Sequence, residues 1–178
     1  MKRILTAILA IFLTITGVNA MDTENTIYLD LKDGRVVIEL DPAAAPNHVA
    51  RIKELTRTGF YDGVKFHRVI PGFMAQTGDP LGTGMGGSGK NLAAEFNETP
   101  HVRGVISMAR ANDINSADSQ FFIVFDDARF LDRQYTAFGR VVSGMEFVDK
   151  IKAGTQNNNG AVTNPDIIIK MTVAADAE

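Results

Sequence analysis

The residues best equipped for chemistry stand together in Phe66-His67-Arg68-Val69-Ile70-Pro71-Gly72-Phe73-Met74-Ala75-Gln76. Arg68 brings a permanent charge and several N–H donors in a rigid fork. Around it are an aromatic ring (Phe73), a thioether (Met74) and a side-chain amide (Gln76), with no nucleophile among them. Such a set can grip a small apolar group and polarise a carbonyl beside it. It cannot break a covalent bond by nucleophilic attack.

Two strands must carry these groups, over residues 64–70 and 73–77. Pro71-Gly72 between them suits a tight turn, since Pro fixes φ at the first central position and Gly tolerates φ > 0 at the second. Strand alternation places Phe66, Arg68 and Ile70 on one face and His67 and Val69 on the other, while Met74 and Gln76 share a face. His67 therefore reads as a hydrogen-bonded structural histidine and not as a base.

The remaining elements follow from periodicity. Residues 26–31 and 36–40 alternate apolar and polar around Asp33-Gly34, a β-hairpin signal. Val49, Ile52 and Leu55 at helical spacing, with Pro46 in the first turn and Gly59 past the end, predict a helix over residues 46–58. His48 on that helix is expected at a surface or edge. Residues 78–89 are too rich in glycine for a helix or strand and read as a surface loop. Further strands are expected over 104–109, 120–125, 135–142 and 167–173, with a short one over 94–96. Phe130-Leu131 suggests a turn of helix, and Met145, Val148 and Ile151 a short second helix. Many strands, few helices and frequent turns point to an antiparallel barrel or sandwich.

A chain of 178 residues with 45% apolar and 22% charged content suits one globular domain. Lys2 and Arg3 precede an uncharged apolar run that ends at Gly17-Val18-Asn19-Ala20, the pattern of a cleavable signal peptide over residues 1–20. The domain then occupies 21–178, with the periplasm as the expected location and no stable membrane insertion after cleavage. Losing Lys2 and Arg3 takes the formal charge from −3 to about −5, which gives no electrostatic support for a nucleic-acid partner. The absence of cysteine excludes disulfides, thiolate catalysis and Cys-based zinc sites.

The stretch from Phe66 to Asp79 closely resembles the signature of the cyclophilin-type peptidyl-prolyl cis-trans isomerases. Ser107-Met108-Ala109-Arg110-Ala111, Asn115-Ser116-Ala117-Asp118-Ser119-Gln120-Phe121-Phe122-Ile123, Phe130-Leu131-Asp132 and Phe138-Gly139 continue the match in the expected order, across roughly residues 26–173. The resemblance implies a closed eight-stranded antiparallel β-barrel capped by two α-helices, acting without cofactor or metal on Xaa-Pro bonds of unfolded or flexible polypeptides, with a monomer as the default. It implies Arg68 as the catalytic group. Phe73, Met74, Phe122 and Leu131 would line the proline recess, with Ala109, Phe130 and Tyr135 nearby, and Gln76, Gln120 and the backbone at Ala109-Arg110 would bond the peptide. His67 joins the expected substrate contacts from the same motif. A non-catalytic chaperone or scaffold that binds proline peptides would use the same residues.

Arg68 suits the chemistry so implied. Resonance raises the barrier to rotation about the amide C–N bond to about 18–20 kcal/mol. In the twisted state the imide nitrogen recovers its lone pair, so a donor placed there stabilises the transition state. Three positions depart from the common pattern. Phe130 stands where many relatives carry Trp, whose indole N–H bonds cyclosporin, so binding of that drug is expected to be weak. Tyr135 replaces a frequent His and Arg110 a frequent Asn. Gly82-x-Gly84-x-x-Gly87 matches a dinucleotide-binding pattern in form, but lacks the βαβ context that such a site requires.

Overall fold

A computed structural model describes residues 22–177. The expected signal segment, residues 1–20, lies outside the described residues. Eight strands form one antiparallel sheet: β1 (Thr26–Leu31), β2 (Gly34–Leu40), β3 (Arg68–Ile70), β4 (Met74–Thr77), β5 (Val105–Met108), β6 (Phe121–Val124), β7 (Ala137–Ser143) and β8 (Lys170–Val173). Their spatial order is β3-β4-β6-β5-β7-β2-β1-β8. Helix α1 spans Pro46–Arg57, and α2 is a single turn over Met145–Val148.

The expected β1–β2 hairpin forms, but its two-residue turn is Lys32-Asp33, with Gly34 paired opposite Leu31 as the first residue of β2. Glycine is needed there. Gly34 has φ +151°, and a Cβ would lie 2.6 Å from the ring of Phe147, so the hairpin tip packs directly on α2. The second helix is shorter than the Met145-Val148-Ile151 spacing suggested. It stops at Val148, and Ile151 reaches back through a turn, its N–H donating to the Val148 carbonyl at 3.1 Å.

The sheet curls without becoming the expected closed barrel. Its end strands, β3 and β8, do not pair as strands. Residues 63–69 instead exchange irregular hydrogen bonds with residues 160–168: Phe66 N–H to the Asp166 carbonyl at 2.9 Å, Ile168 to Val64 at 2.9 Å, and Val69 to Gly160 at 2.8 Å. The cause is local sequence. Asn159, Gly160 and Asn164 take positive φ, and Pro165 lacks an N–H, so the segment facing β3 cannot hold strand geometry along the seam.

The two faces of the sheet carry different cores. Facing inward, Ile27, Leu29, Val36, Ile38, Phe66, Phe121 and Phe138 pack against Val49, Ile52 and Leu55 of α1. On the outer face, Met74, Val105, Phe122, Val124, Leu131 and Ala137 form a second cluster. Alternation along β6 therefore sends Phe121 and Phe122 to opposite sides, as the sequence predicts. The outer cluster is the floor on which the site is built.

Helix α1 begins without a capping side chain of its own, because Ala45 holds the cap position. The Glu95 carboxylate caps it from a distant loop, accepting from the N–H groups of Asn47 and His48 at 3.1 Å and from His48 Nδ1 at 2.6 Å. His48 is thus fully buried, not at a surface. The strand expected over residues 94–96 does not form, since that segment serves the helix cap. An isolated pairing of Leu92 with Ala117 stands nearby.

Candidate active site

A cleft of about 700 Å³ opens on the outer face of the sheet. It gathers His67, Arg68, Phe73, Met74, Gln76, Ala109, Arg110, Phe122, Phe130, Leu131 and Tyr135, all of the expected site residues except Gln120. The antiparallel register sets Arg68 opposite Gln76, and Gln76 opposite Phe122 on the next strand. Side chains opposite one another share a face. One row across β3, β4 and β6 therefore carries the cation, the amide and the ring in sequence.

Arg68 is half-buried and held on three sides. Nη1 donates to Gln76 Oε1 at 3.2 Å, Nε to the Asn159 carbonyl at 3.0 Å, and Nη2 to Asn159 Oδ1 at 3.0 Å. Burial lowers its pKa, with Tyr135 opposing weakly. An arginine starts so high that it stays protonated regardless. A guanidinium carries five N–H donors, so among the described residues two of them keep no partner.

Gln120 lies one layer behind. Its Oε1 accepts from Gln76 Nε2 at 2.9 Å, while its own Nε2 donates to the carbonyls of Gly84 and Gly86 at 3.1 and 2.8 Å. It faces an adjoining cavity of about 400 Å³ instead of the main cleft. It stands beside Gln76, with which the family motif pairs it, on the wall of a cavity that also includes Gln76, Ala109 and Arg110. Gln120 orients Gln76; alternation puts it on the same face as Phe122, and the Gly84 and Gly86 carbonyls draw its amide toward the glycine-rich loop.

His67 also departs from the simple alternation. It precedes β3, where the backbone has not yet settled into strand geometry, so it lines the same cleft as Arg68 while Phe66 turns into the inner core. It is buried, and among the described residues neither ring nitrogen reaches hydrogen-bond geometry with a protein group. The expected hydrogen-bonded structural histidine is not what the fold provides. Burial lowers its pKa against the weaker pull of Asp79 and the Lys65 carbonyl, and the ring is neutral at neutral pH.

The apolar walls are set by ring contacts. Phe122 meets Tyr135 edge to face with centroids 5.9 Å apart, and Phe73 meets Phe130 at 5.4 Å. Met74 and Leu131 are buried between them. Phe130, 65% exposed, forms the outer rim. Two of the departures noted in sequence pair with each other: the Arg110 guanidinium lies 4.7 Å over the Tyr135 ring and donates to the Gln134 carbonyl. Ala109 lines the cleft with its N–H already engaged by the Gln120 carbonyl at 2.9 Å.

Two supports escaped the sequence reading. His101 stacks on Phe122, with its Nδ1 3.0 Å from Asp132 Oδ1 and its Nε2 3.0 Å from Ser107 Oγ. The carboxylate fixes the proton on Nδ1, so Nε2 accepts from the serine. The three residues are ordered as in a hydrolytic triad, but His101 and Ser107 are fully buried and lie outside the cleft lining. Their role is to seat Phe122. The second support is Asp79, which lies inside the glycine-rich loop and accepts from the N–H groups of Leu81, Thr83 and Gly84 at 2.8, 2.9 and 2.6 Å. The donors that could have cradled a phosphate hold an internal carboxylate, which accounts for the glycine spacing without a nucleotide.

The family model described as cyclophilin type peptidyl-prolyl cis-trans isomerase/CLD matches residues 26–173. The chain belongs to the cyclophilin-type peptidyl-prolyl cis-trans isomerases. A Brucella suis protein named a probable peptidyl-prolyl cis-trans isomerase is 56% identical over 173 residues, covering 90% of this chain and 88% of its own. Peptidyl-prolyl cis-trans isomerase B of Bacillus subtilis is 46% identical over 132 residues, covering 72% and 92%. Among solved structures, a cyclophilin from Hirschia baltica superposes with a TM-score of 0.78 at 33% identity, covering 88% of this chain and 76% of that one. A cyclophilin from Cryptosporidium parvum, crystallised in the presence of the dipeptide Ala-Pro, superposes at 0.76 with 28% identity, covering 83% and 98%. The present cyclophilin accordingly catalyses peptidyl-prolyl cis-trans isomerisation.

Proposed function

We propose that Arg68 is the catalytic group of this isomerase. The proline ring sits in the recess of Phe73, Met74, Phe122 and Leu131, and the guanidinium holds the prolyl carbonyl while presenting an N–H to the imide nitrogen as it pyramidalises. The observation that carries this reading is the placement of a half-buried guanidinium with two free N–H donors at the edge of an apolar recess. Each ~1.4 kcal/mol by which that group favours the twisted amide over the planar one gives tenfold in rate. No proton transfer or covalent step is needed, which fits a cleft whose histidine is neutral and unpaired.

Gln76 bonds the peptide backbone beside the proline, and His67, Ala109, Arg110, Phe130 and Tyr135 form the rim that meets flanking residues. With the Ala109 N–H engaged, the backbone there offers its carbonyl. The substrates are unfolded or flexible Xaa-Pro polypeptides, consistent with the Ala-Pro dipeptide present with the Cryptosporidium parvum relative. The basic and apolar pattern of residues 1–20 supports export to the periplasm, where uncatalysed isomerisation over tens to hundreds of seconds delays folding; a monomer is the default assembly.

Exchange NMR on a proline peptide separates catalysis from mere binding. Wild type should produce cis–trans exchange cross-peaks that Arg68→Ala removes, while peptide shift perturbations persist in both. Perturbations without exchange in wild type would favour the chaperone reading. Cell fractionation, with N-terminal sequencing of the product, tests export and cleavage after Ala20.

A further inference from the structure

We propose that Asn159 is a positioning residue for this reaction, fixing the plane of the Arg68 guanidinium while leaving its charge intact. The inference rests on the reading of Arg68 as the catalytic group. Asn159 supplies two acceptors to one edge of the fork, its carbonyl to Nε and its Oδ1 to Nη2, both at 3.0 Å. With Gln76 holding Nη1, rotation about the Cδ–Nε and Nε–Cζ bonds is blocked. A carboxylate would make the same bidentate contact, and a carboxylate is the usual partner for this edge of an arginine. Here both acceptors are neutral. They orient the cation without pairing it, so its field remains available to a carbonyl entering the cleft.

The chain is shaped to present those two oxygens. Asn159 has φ +48°, a left-handed conformation that asparagine adopts and most other side chains avoid. The loop is pinned to β3 on both sides of it. Val69 N–H donates to the Gly160 carbonyl at 2.8 Å, Ala161 bridges to Arg68, and Ala161 N–H donates to the Asn158 carbonyl at 2.9 Å. Gly160 itself cannot carry a side chain, because a Cβ would lie 2.4 Å from Ile70 Cγ1. Asn159 itself is exposed, and both its oxygens are spent on the guanidinium.

The left-handed φ makes the test clean. Asn159→Gly keeps the backbone conformation and the carbonyl bond and removes only Oδ1. Asn159→Asp keeps the shape and adds the charge. In a protease-coupled proline-peptide assay on the full chain, Asn159→Gly should lower kcat by about 3- to 10-fold with KM within about twofold. Asn159→Asp should lose more at pH 7 and recover, read by exchange NMR, only as the pH falls below about 4, because the adjacent guanidinium holds the new carboxyl below its ordinary range. Wild-type kcat in Asn159→Gly would overturn the inference, as would equal, pH-independent losses in the two variants. Arg68→Ala is assayed in parallel. If it keeps the wild-type rate, the catalytic reading of Arg68 fails first. If it is inactive while Asn159→Gly is not, the positioning role alone is lost.

Discussion

Arg68 donates to Oε1 of Gln76 at 3.2 Å from directly across the β3–β4 ladder. The amide's other end donates to Gln120, which in turn bonds two carbonyls of the glycine-rich loop. The orientation of Gln76 is therefore fixed from behind, and with it one flank of the guanidinium. Gln76→Ala should lower kcat/KM by roughly 10-fold, as expected for one hydrogen bond to a charged group. Gln120→Ala should cost less, about 3-fold, because Gln76 keeps its bond to Arg68. Steady-state kinetics with melting temperatures measured alongside will check both. A larger loss for Gln120 than for Gln76 would contradict the order of the chain.

The glycine-rich loop depends on one buried carboxylate. Burial pushes the Asp79 pKa up, but the N–H groups of Leu81, Gly86, Thr83 and Gly84 outweigh it and hold the carboxyl at about 2. A folded pKa depressed below the unfolded value of ~3.9 stabilises the protein above that value, and the contribution disappears as the pH falls towards 2. Urea denaturation across pH 2 to 5 should show a loss of up to about 2 kcal/mol in wild type that Asp79→Asn lacks. Asp79→Asn should itself destabilise the protein at pH 7.

His101 is predicted to be structural despite its triad-like neighbours. His101→Ala removes the stack on Phe122 and leaves the Ser107 hydroxyl and Asp132 without their partner. The expected cost is about 2–4 kcal/mol, read by chemical denaturation. Neither wild type nor variant should hydrolyse esters, because His101 and Ser107 are buried away from the cleft lining. Esterase activity abolished by Ser107→Ala would show that the triad order is functional.

How much of this was legible in the sequence depends on the range of the interaction. The hairpin at Gly34, the opposition of Phe121 and Phe122, and helix α1 came from local periodicity, and the fold honours them. The family motifs gathered the cleft residues correctly onto one surface. What failed was whatever a partner distant in the chain decides. His48 is buried because Glu95 caps α1 from 47 residues away. Gln120 is drawn toward an adjoining cavity because the glycine-rich loop captures its amide. The sheet stays open because the residues around Asn164 and Pro165 cannot hold a strand, a defect visible only when the opposite edge is known. Asn159 gave no signal at all, since an Asn-Gly pair in a loop ordinarily marks nothing more than a turn.

Phe130 forms the rim with no N–H to offer. Cyclosporin should bind weakly, and Phe130→Trp should tighten its Kd by roughly 3- to 10-fold, the worth of one recovered hydrogen bond. Isothermal titration of both proteins decides this. Tight binding to wild type would show that the rim ring contributes little to recognition of the drug.

The central claim is that one oriented guanidinium favours the twisted imide over the planar one. Its most direct test is kcat/KM for Arg68→Ala on a proline peptide, measured beside the Kd for a non-isomerising analogue. The prediction is a fall of about 100-fold or more in kcat/KM with Kd changed only a few-fold, because the interaction is made chiefly in the transition state. An unchanged kcat/KM, or a loss accounted for wholly by weaker peptide binding, would contradict it.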